Sequence, residues 1–269
     1  MNFKLLCTDI DGTLLDKNRQ LSALTISEIN RIRPKIPVIL VSSRMPKAMR
    51  HLQATLGIED TPLIAYNGGL ILHGTQVIET TEIDLGTVAS ILHLTKNTSI
   101  HLSLYHNDDW FVPDMDYWAK REQNNTQVSP TVQPLTETMS LLESQQRGVH
   151  KIMAMGDENE IEQLFNAAAL IHSEELHLYR SKSTYIEIAN RSVSKETALS
   201  KLLSLKYPEI KLENVVAYGD NYNDIDLLES VGAGIAVANA KQEVLVVSDD
   251  ITTANVDNGV ALSIQKYFK

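Results

Sequence analysis

The sequence predicts an α/β protein with a doubly wound, mainly parallel sheet, into which an α+β domain is inserted. Near both ends of the 269-residue chain, apolar segments of strand length alternate with helical patterns, which is typical of parallel strands joined by crossover helices. Between these regions, strand-like segments follow one another without intervening helices. We therefore expect one discontinuous domain, residues 1–82 and 190–269, interrupted by a second domain of residues 83–189.

The first region contains three buried strands and two helices. The apolar run Phe3–Cys7 has the length of a strand, and Val38–Val41 and Leu63–Tyr66 are two further runs of this kind. Isoleucines at helical spacing predict a helix over Thr25–Arg33. A second helix is expected from Pro46, because proline is favoured in the first turn of a helix. These elements alternate as a parallel sheet requires.

The middle of the chain mixes helices and strands. It follows a predicted hairpin of Leu70–Leu72 and Gln76–Ile78. Its predicted helices cover residues 86–96, 116–125, 137–145 and 158–170. Its predicted strands cover residues 100–105, 110–112, 151–155, 176–180 and 185–189. This order predicts an open, partly antiparallel sheet covered by helices.

The parallel pattern resumes near Asn190. Ser194 is expected to cap a helix that runs to about Lys206, and Val215–Tyr218 reads as the next strand. The remaining predictions are a helix at 225–230, a strand at 234–237, a helix at 242–246, a short strand at 250–251 and a helix from 258.

Composition and charge exclude several classes of function. The net charge of −10 argues against nucleic acid or a membrane surface as a partner, since such binders usually carry a basic face. Cys7 is the only cysteine and is expected to be a buried, inert thiol. No apolar stretch has the length of a membrane span or resembles a signal peptide. We expect a cytoplasmic protein, monomeric or a small homo-oligomer.

Polar residues follow the predicted strands or begin a helix. They are Asp9, Asp11, Ser42, Ser43, Asn67, Lys195, Asp220, Asn223 and Asp224. Ligands of open α/β sheets bind at the carboxyl ends of the strands, so these side chains should converge. Two carboxylates about 4 Å apart repel by roughly 4 kcal/mol, which calls for a cation. An oxygen-rich set without cysteine suits Mg²⁺ rather than Zn²⁺, and phosphoryl transfer is the chemistry that it serves.

Four stretches in this order carry a family resemblance. Asp9-Ile10-Asp11-Gly12-Thr13-Leu14, Ser42, Lys195 and Gly219-Asp220-Asn221-Tyr222-Asn223-Asp224 resemble the four signature motifs of the haloacid dehalogenase superfamily. Asn67-Gly68-Gly69 is similar to a further element of its Cof-type sugar-phosphatase branch, which has a large cap inserted between the second and third motifs. The resemblance extends over essentially the whole chain and implies a Rossmann-like core.

The resemblance also implies a role for each motif residue. Asp9 would be the nucleophile and a Mg²⁺ ligand, and Asp11 the general acid and then the general base, with its backbone carbonyl on the metal. Asp220 would be another Mg²⁺ ligand, and Asp224 would orient metal-bound water or hold Lys195. The implied phosphate-binding residues are Ser42, Ser43, Lys195 and Asn223. Asn67 and Gly12 would support them.

The chain departs from the branch at two positions. Ser43 stands where the branch usually has glycine, which could require a positive φ or a close backbone approach. Glu196 stands where a small residue usually follows the lysine of the third motif.

The implied function is a Mg²⁺-dependent phosphomonoester hydrolase that acts on a small phosphorylated metabolite, a sugar phosphate. One alternative is a phosphotransferase or phosphomutase of the same architecture. Another is a phospho-aspartate signalling receiver, but a receiver needs neither an acid-base aspartate such as Asp11 nor an inserted domain. The remaining interpretation of the first motif is an Asp-Gly turn whose aspartates are solvated and take no part in catalysis.

Aromatic residues and histidines of the middle region need a separate interpretation. Trp110, Phe111, Tyr117 and Trp118 are expected to pack the inserted domain. The alternative is that one or two of them face the substrate. His101, His106 and His150 lack the spacing of metal ligands and are expected to be surface or packing residues.

Overall fold

A computed structural model describes residues 3–269, which form two compact units. The first unit comprises the chain up to Ser43, Met49–Glu79 and Ser194–Lys269. The second comprises Arg44–Ala48 and Thr80–Val193. The inserted segment is therefore a few residues longer at each end than the 83–189 of the sequence analysis, and a short piece after Ser43 joins it. No helix in the described part of the chain is both long and apolar enough to cross a membrane.

The two units contain fourteen strands and ten α-helices among the described residues. The strands are β1 (Leu5–Thr8), β2 (Val38–Val41), β3 (Leu63–Ala65), β4 (Leu70–His73), β5 (Gln76–Thr80), β6 (His101–His106), β7 (Asp109–Val112), β8 (Thr131–Val132), β9 (Lys151–Met155), β10 (Leu176–Lys182), β11 (Tyr185–Asn190), β12 (Val215–Gly219), β13 (Ala233–Val237) and β14 (Asp250–Thr252). The helices are α1 (Ala23–Ile32), α2 (Arg50–Leu56), α3 (Leu85–Leu94), α4 (Tyr117–Thr126), α5 (Leu135–Ser144), α6 (Glu158–Ile171), α7 (Lys195–Lys206), α8 (Ile225–Ser230), α9 (Gln242–Val247) and α10 (Gly259–Tyr267).

The first unit is built on an eight-stranded sheet in the order β14-β13-β12-β1-β2-β3-β4-β5. The pairs from β14 to β3 are parallel, and β4 runs antiparallel to β3. The strand order reverses direction at β1, since β2 lies on one side of it and β12 on the other. This confirms the predicted doubly wound, mainly parallel sheet.

Both faces of this sheet are buried. Leu5 and Cys7 of β1 belong to an apolar cluster with residues of α7, α8 and α9. Leu6 points to the opposite face, because successive strand residues alternate, and it too is fully buried. The apolar runs of the sequence are continuous rather than alternating for this reason.

The second unit has a six-stranded sheet in the order β10-β11-β9-β6-β7-β8. Its strands pair antiparallel except for β7 with β8. One face packs an apolar cluster against α3, α5 and α6, as the sequence predicts for a sheet covered by helices. The two-residue strand β8 has no sequence signal, since Thr131 and Val132 are exposed and form no apolar run.

Two histidines of the second unit are buried in a hydrogen-bonded cluster. The rings of His106 and His150 lie 5.0 Å apart between centroids. His150 accepts the backbone N–H of Asn107 at Nδ1, and its Nε2 lies 3.0 Å from Thr80 Oγ1. Burial, with a further contribution from His106, lowers the pKa of His150 from 6.5 to about 3.

We predict that acid destabilises the protein through His150. Its pKa is lower in the folded chain than in the unfolded one, so the unfolded chain binds more protons as the pH falls below about 6.5. At pH 5 this extra protonation of the unfolded chain lowers the free energy of unfolding by about 2 kcal/mol, and the loss disappears at neutral pH. Urea unfolding at pH 7 and pH 5 measures the loss, followed by the fluorescence of Trp110 and Trp118, which both lie in the second unit.

The matched variant is His150→Gln, which cannot titrate. Its stability should fall less between pH 7 and pH 5 than that of the wild type. An equal loss in both proteins would assign the acid sensitivity to other groups, such as His106, whose pKa burial also lowers.

Candidate active site

Asp9 and Asp220 stand side by side because they follow two neighbouring parallel strands. Asp9 comes directly after β1, and its backbone N–H donates to the Tyr218 carbonyl of β12 at 3.0 Å. Asp220 comes directly after β12. The register pairs Thr8 with Tyr218, so both strands end at the same edge of the sheet. These two carboxylates, far apart in sequence, thereby meet.

Lys195 joins the cluster from the start of α7. The Ser194 hydroxyl accepts the Thr197 N–H, and the Thr197 hydroxyl accepts the Ser194 N–H, which fixes where the helix begins. From there, Lys195 Nζ donates to Asp9 Oδ1 and to Asp224 Oδ1, at 2.6 Å each. The Lys195 side chain is only 1 % exposed, and both acids are buried as well. The result is a buried ion triad of one ammonium and two carboxylates.

Burial is the main cause of the raised pKa values of the acids in this cluster, and their mutual repulsion adds to it. Burial raises the pKa of Asp9; the Lys195 ammonium opposes that shift, and the carboxylates of Asp224 and Asp220 add to it. Burial and the Asp224 carboxylate raise the pKa of Asp220 to about 6. Burial disfavours the charged form of Lys195, but its two carboxylate partners outweigh burial and raise its pKa. The ammonium therefore stays charged, and the acids together carry more negative charge than it offsets.

Asp224 is held by the loop that follows β12. Its Oδ2 accepts the backbone N–H groups of Asp220 and Asn221 at 3.0 Å each. A Cβ at Gly219 would overlap the Asp224 side chain, so this close approach requires glycine. With one oxygen on Lys195 and the other on the loop, Asp224 supports the site rather than reaching outward.

The first-motif loop packs against Asp220. Gly12 has a φ of +84°, and a Cβ there would overlap the Asp220 carboxylate. The Thr13 hydroxyl donates to Asp220 Oδ1 at 3.0 Å. The Gly12 carbonyl in turn accepts a hydrogen bond from Asn239 Nδ2 at 2.8 Å. The sequence analysis gave Thr13 and Asn239 no role. Thr13 lies within the first motif, but no local pattern marks which residues contact this loop.

A second connected set lies at the ends of β2 and β3. Ser42 is buried, and its carbonyl accepts the Asn67 N–H at 2.8 Å. Asn67 has a left-handed backbone, with φ of 56°, and its Oδ1 accepts from Asn223 Nδ2 at 2.9 Å. A Cβ at Gly68 would approach the carbonyl oxygen of Ser194, which precedes Lys195, to 2.6 Å. This set therefore adjoins both the α7 start and the loop after β12.

Ser43 and Asp11 complete the predicted residues. Ser43 is half-buried and is not among the described residues with a positive φ, so replacing the usual glycine causes no strain of that kind. The Asp11 carboxylate is 40 % exposed and pairs with Arg19, whose Nη1 lies 3.1 Å from its Oδ1. Sequence reasoning gave Arg19 no role, because its partner lies eight residues away outside any helix or strand spacing.

The buried carboxylates fit a divalent cation. Oxygens of Asp9, Asp220 and Asp224 all lie within 4.8 Å of one another. All donors are oxygens, which Mg²⁺ prefers, and three carboxylates this close together with one ammonium leave negative charge that a cation would offset. Asp224 already uses both oxygens, so Asp9 and Asp220 are the residues suited to hold the ion.

Glu82 lies close to His106 and His150, and all three are residue types that can bind metal ions. Their hydrogen bonds, however, do not suit a metal ion. Because His150 Nδ1 accepts the Asn107 N–H, the proton of the neutral ring sits on Nε2, the atom that faces Glu82. A metal ion bound to that atom would require an imidazolate, which is a ring without an N–H proton. The histidines are packing residues, as the sequence analysis expected.

The family profile of haloacid dehalogenase-like hydrolases matches residues 6–264, nearly the whole chain. The chain belongs to this family. The resemblance carried by the four motifs is thereby confirmed, and with it the expectation of an enzyme.

Similar proteins agree with this assignment along the full chain. Pyridoxal phosphate phosphatase of Escherichia coli is 27 % identical over 275 residues, covering 99 % of each chain. A haloacid dehalogenase-like hydrolase from Bacteroides thetaiotaomicron has the same fold, with a TM-score of 0.89 at 23 % identity, over 99 % of this chain and 100 % of the other. A subclass IIB sugar phosphatase superimposes with a TM-score of 0.80 at 20 % identity, over 98 % of each chain.

We predict that Gly12→Ala destabilises the protein more than the same change at Gly74. Both glycines have a positive φ, so both substitutions introduce backbone strain of about 1–2 kcal/mol. At Gly12 the new methyl group also overlaps the side chain of Asp220, whereas apart from the adjacent residues no atom lies within 4 Å of a Cβ at Gly74. Urea unfolding of the two variants at neutral pH measures the difference. Equal losses would mean that Asp220 moves aside without cost.

Proposed function

We propose that this protein is a Mg²⁺-dependent phosphatase that hydrolyses a small phosphorylated metabolite, a sugar phosphate, through an aspartyl-phosphate intermediate. The observation that carries the proposal is the buried contact of Lys195 with Asp9 and Asp224. It places a permanent cation beside a carboxylate at the carboxyl end of the central strand, which is what phosphoryl transfer to a carboxylate needs.

In the first half of the reaction, Asp9 would attack phosphorus. A bond forms between its carboxylate oxygen and phosphorus, and the bond from phosphorus to the substrate alcohol breaks. Lys195 Nζ, 2.6 Å from Asp9 Oδ1, is close enough to stabilise the transferring oxygens. Ser42, Ser43 and Asn223 would also bind these oxygens. Asp11 would protonate the leaving alcohol.

In the second half, Asp11 would act as a base on water. The water oxygen bonds to phosphorus, the bond to Asp9 breaks, and inorganic phosphate leaves. Asp11 suits this exchange with solvent because its carboxylate is partly exposed, whereas Asp9 is buried. The two aspartates, two residues apart, thus have unlike surroundings and unlike proposed roles.

Asp9 and Asp220 would hold Mg²⁺, together with the backbone carbonyl of Asp11. When bound, the ion would offset the negative charge of the phosphoryl oxygens. Asp224 would keep Lys195 and the loop after β12 in place. Thr13, by its hydrogen bond to Asp220 Oδ1, would fix the orientation of that carboxylate.

Residues 83–189, which make up most of the second unit, are proposed to be the cap that selects the substrate, and residues 1–82 and 190–269 the catalytic core. Trp110 stacks on Tyr105 in the second unit's sheet and is buried, so it serves packing, and Phe111 lies in the apolar cluster. Tyr117 is 69 % exposed and its ring forms an edge-type contact with the ring of Trp118, at 5.1 Å between centroids. Among the four aromatic residues named from the sequence, Tyr117 is therefore the best placed to contact a ligand.

We predict that Asp9→Asn abolishes activity. The amide keeps the shape of the side chain but cannot attack phosphorus, so the rate should fall by about 1,000-fold or more. Hydrolysis of p-nitrophenyl phosphate with Mg²⁺ measures the loss. EDTA should abolish the activity of the wild type, and added Mg²⁺ should restore that activity.

The matched control is Asp226→Asn, an exposed acid of α8 two residues beyond Asp224. It should retain wild-type activity. Robust hydrolysis by Asp9→Asn, in a preparation free of other phosphatases, would refute Asp9 as the nucleophile.

We also predict that Tyr117→Ala changes the ranking of substrates more than it changes p-nitrophenyl phosphate hydrolysis. The measurement is phosphate release from a panel of sugar phosphates, nucleotides and phosphorylated cofactors. Equal loss on every substrate would count against substrate selection at Tyr117. An isomeric sugar phosphate in place of free phosphate would identify a mutase, and preference for a nucleotide would refute the sugar-phosphate class.

A further inference from the structure

Asn239 belongs to the loop between β13 and α9, and this loop is attached to two parts of the acidic site. The Asn239 side-chain Nδ2 donates to the Gly12 carbonyl of the first motif at 2.8 Å. Further along the same loop, the backbone N–H of Lys241 donates to the Asp220 carbonyl at 2.9 Å. The loop therefore connects the turn that follows Asp9 with the residue that follows β12.

A second asparagine fixes the orientation of the Asn239 amide. The backbone N–H of Asn255, in the segment between β14 and α10, donates to Asn239 Oδ1 at 2.9 Å. Because an amide oxygen accepts and an amide nitrogen donates, this contact turns Nδ2 toward the Gly12 carbonyl. Asn255 Nδ2 in turn donates to the Leu15 carbonyl at 2.7 Å. Two carbonyls in and just after the first motif are thus held by two linked asparagines.

The turn that these asparagines hold lies directly against Asp220. A Cβ at Gly12 would come to 2.4 Å from Asp220 Oδ2, and the Thr13 hydroxyl donates to Asp220 Oδ1 at 3.0 Å. The peptide between Gly12 and Thr13, whose carbonyl binds Asn239, therefore joins the two residues that contact this carboxylate. A displacement of this peptide would change where the Asp220 carboxylate stands relative to Asp9.

We propose that Asn239 is a positioning residue for the divalent cation, which acts through the first-motif turn on the placement of the Asp9 and Asp220 carboxylates; this rests on the proposed function. Mg²⁺ demands near-ideal octahedral geometry, so displacing its carboxylate ligands weakens binding. Removing a hydrogen-bond partner behind a metal ligand typically lowers metal affinity by about 10- to 100-fold. Asn239 is uncharged, so it contributes through geometry and not through its own charge.

The test compares Asn239→Asp and Asn239→Ala with Mg²⁺ alone as the ligand. Asn239→Asp keeps an oxygen for the Asn255 N–H but places a second carboxylate oxygen, in place of a donor, against the Gly12 carbonyl. Its negative charge would by itself strengthen cation binding, whereas loss of the donor should weaken it. We expect both variants to bind Mg²⁺ about tenfold more weakly than the wild type. The rise in melting temperature with Mg²⁺ concentration gives the dissociation constant without turnover.

A second readout separates ion binding from a general structural role. Asn239 is exposed, so the loss of its hydrogen bonds should leave both variants folded in the absence of Mg²⁺. The Mg²⁺ concentration for half-maximal hydrolysis of p-nitrophenyl phosphate should rise by the same factor as the dissociation constant. At saturating Mg²⁺ the rate should return close to that of the wild type. A loss of rate that excess Mg²⁺ does not reverse would overturn the proposal.

The matched controls are Asn30→Asp and Asn30→Ala on α1, also in the first unit. Asn30 makes the same kinds of contact, since its Nδ2 donates to the Ile26 carbonyl and its Oδ1 accepts from Arg33 Nε. Neither control should change the Mg²⁺ dissociation constant. Unchanged or tighter Mg²⁺ binding by Asn239→Asp would contradict the positioning role. If the wild type itself showed no effect of Mg²⁺, the proposed metal-dependent function would fall and the inference with it, so the two failures are distinguishable.

Discussion

The buried ion triad of Lys195 with Asp9 and Asp224 is the interaction on which the rest of the site depends. A lysine ammonium taken out of water is costly unless carboxylates replace its hydration, and here two do so at 2.6 Å. The triad connects the end of β1, the start of α7 and the loop after β12, three segments that are distant in sequence. Removing Lys195 would leave two buried carboxylates without their counter-ion. The triad therefore fixes both the geometry and the electrostatics of the site.

The close approach of two carboxylates to the backbone is the second constraint on the site. The carboxylates of Asp220 and Asp224 lie where a Cβ on Gly12 or Gly219 would stand. Glycine is required at these positions because the acids must come near the first-motif loop and near each other. The resulting crowding of carboxylates, with oxygens of Asp9, Asp220 and Asp224 within 4.8 Å of one another, favours a divalent cation at this position.

The second unit contains a buried histidine that is kept uncharged. His150 is buried with hydrogen-bond partners at both ring nitrogens, and its lowered pKa keeps it uncharged at neutral pH. Such a ring packs as a polar spacer between Thr80 and Asn107 without the cost of a buried charge. Together with His106 and Glu82, His150 resembles a metal site by residue type only. The hydrogen bond from Asn107 to Nδ1 leaves the ring proton of His150 on Nε2, the atom that would have to bind the metal ion.

The sequence by itself determined the alternation of strands and helices, the inserted segment and the order of the four motifs. Strand burial and helix capping are local properties, so the runs at Val38–Val41 and Lys151–Met155 and the cap at Ser194 could be read directly. Only the tertiary structure decided which residues touch. Asp11 pairs with Arg19 eight residues further along the chain, and Thr13 reaches Asp220 across 207 positions of sequence. Contacts of this kind depend on strand register and loop conformation, which no local pattern of residues encodes.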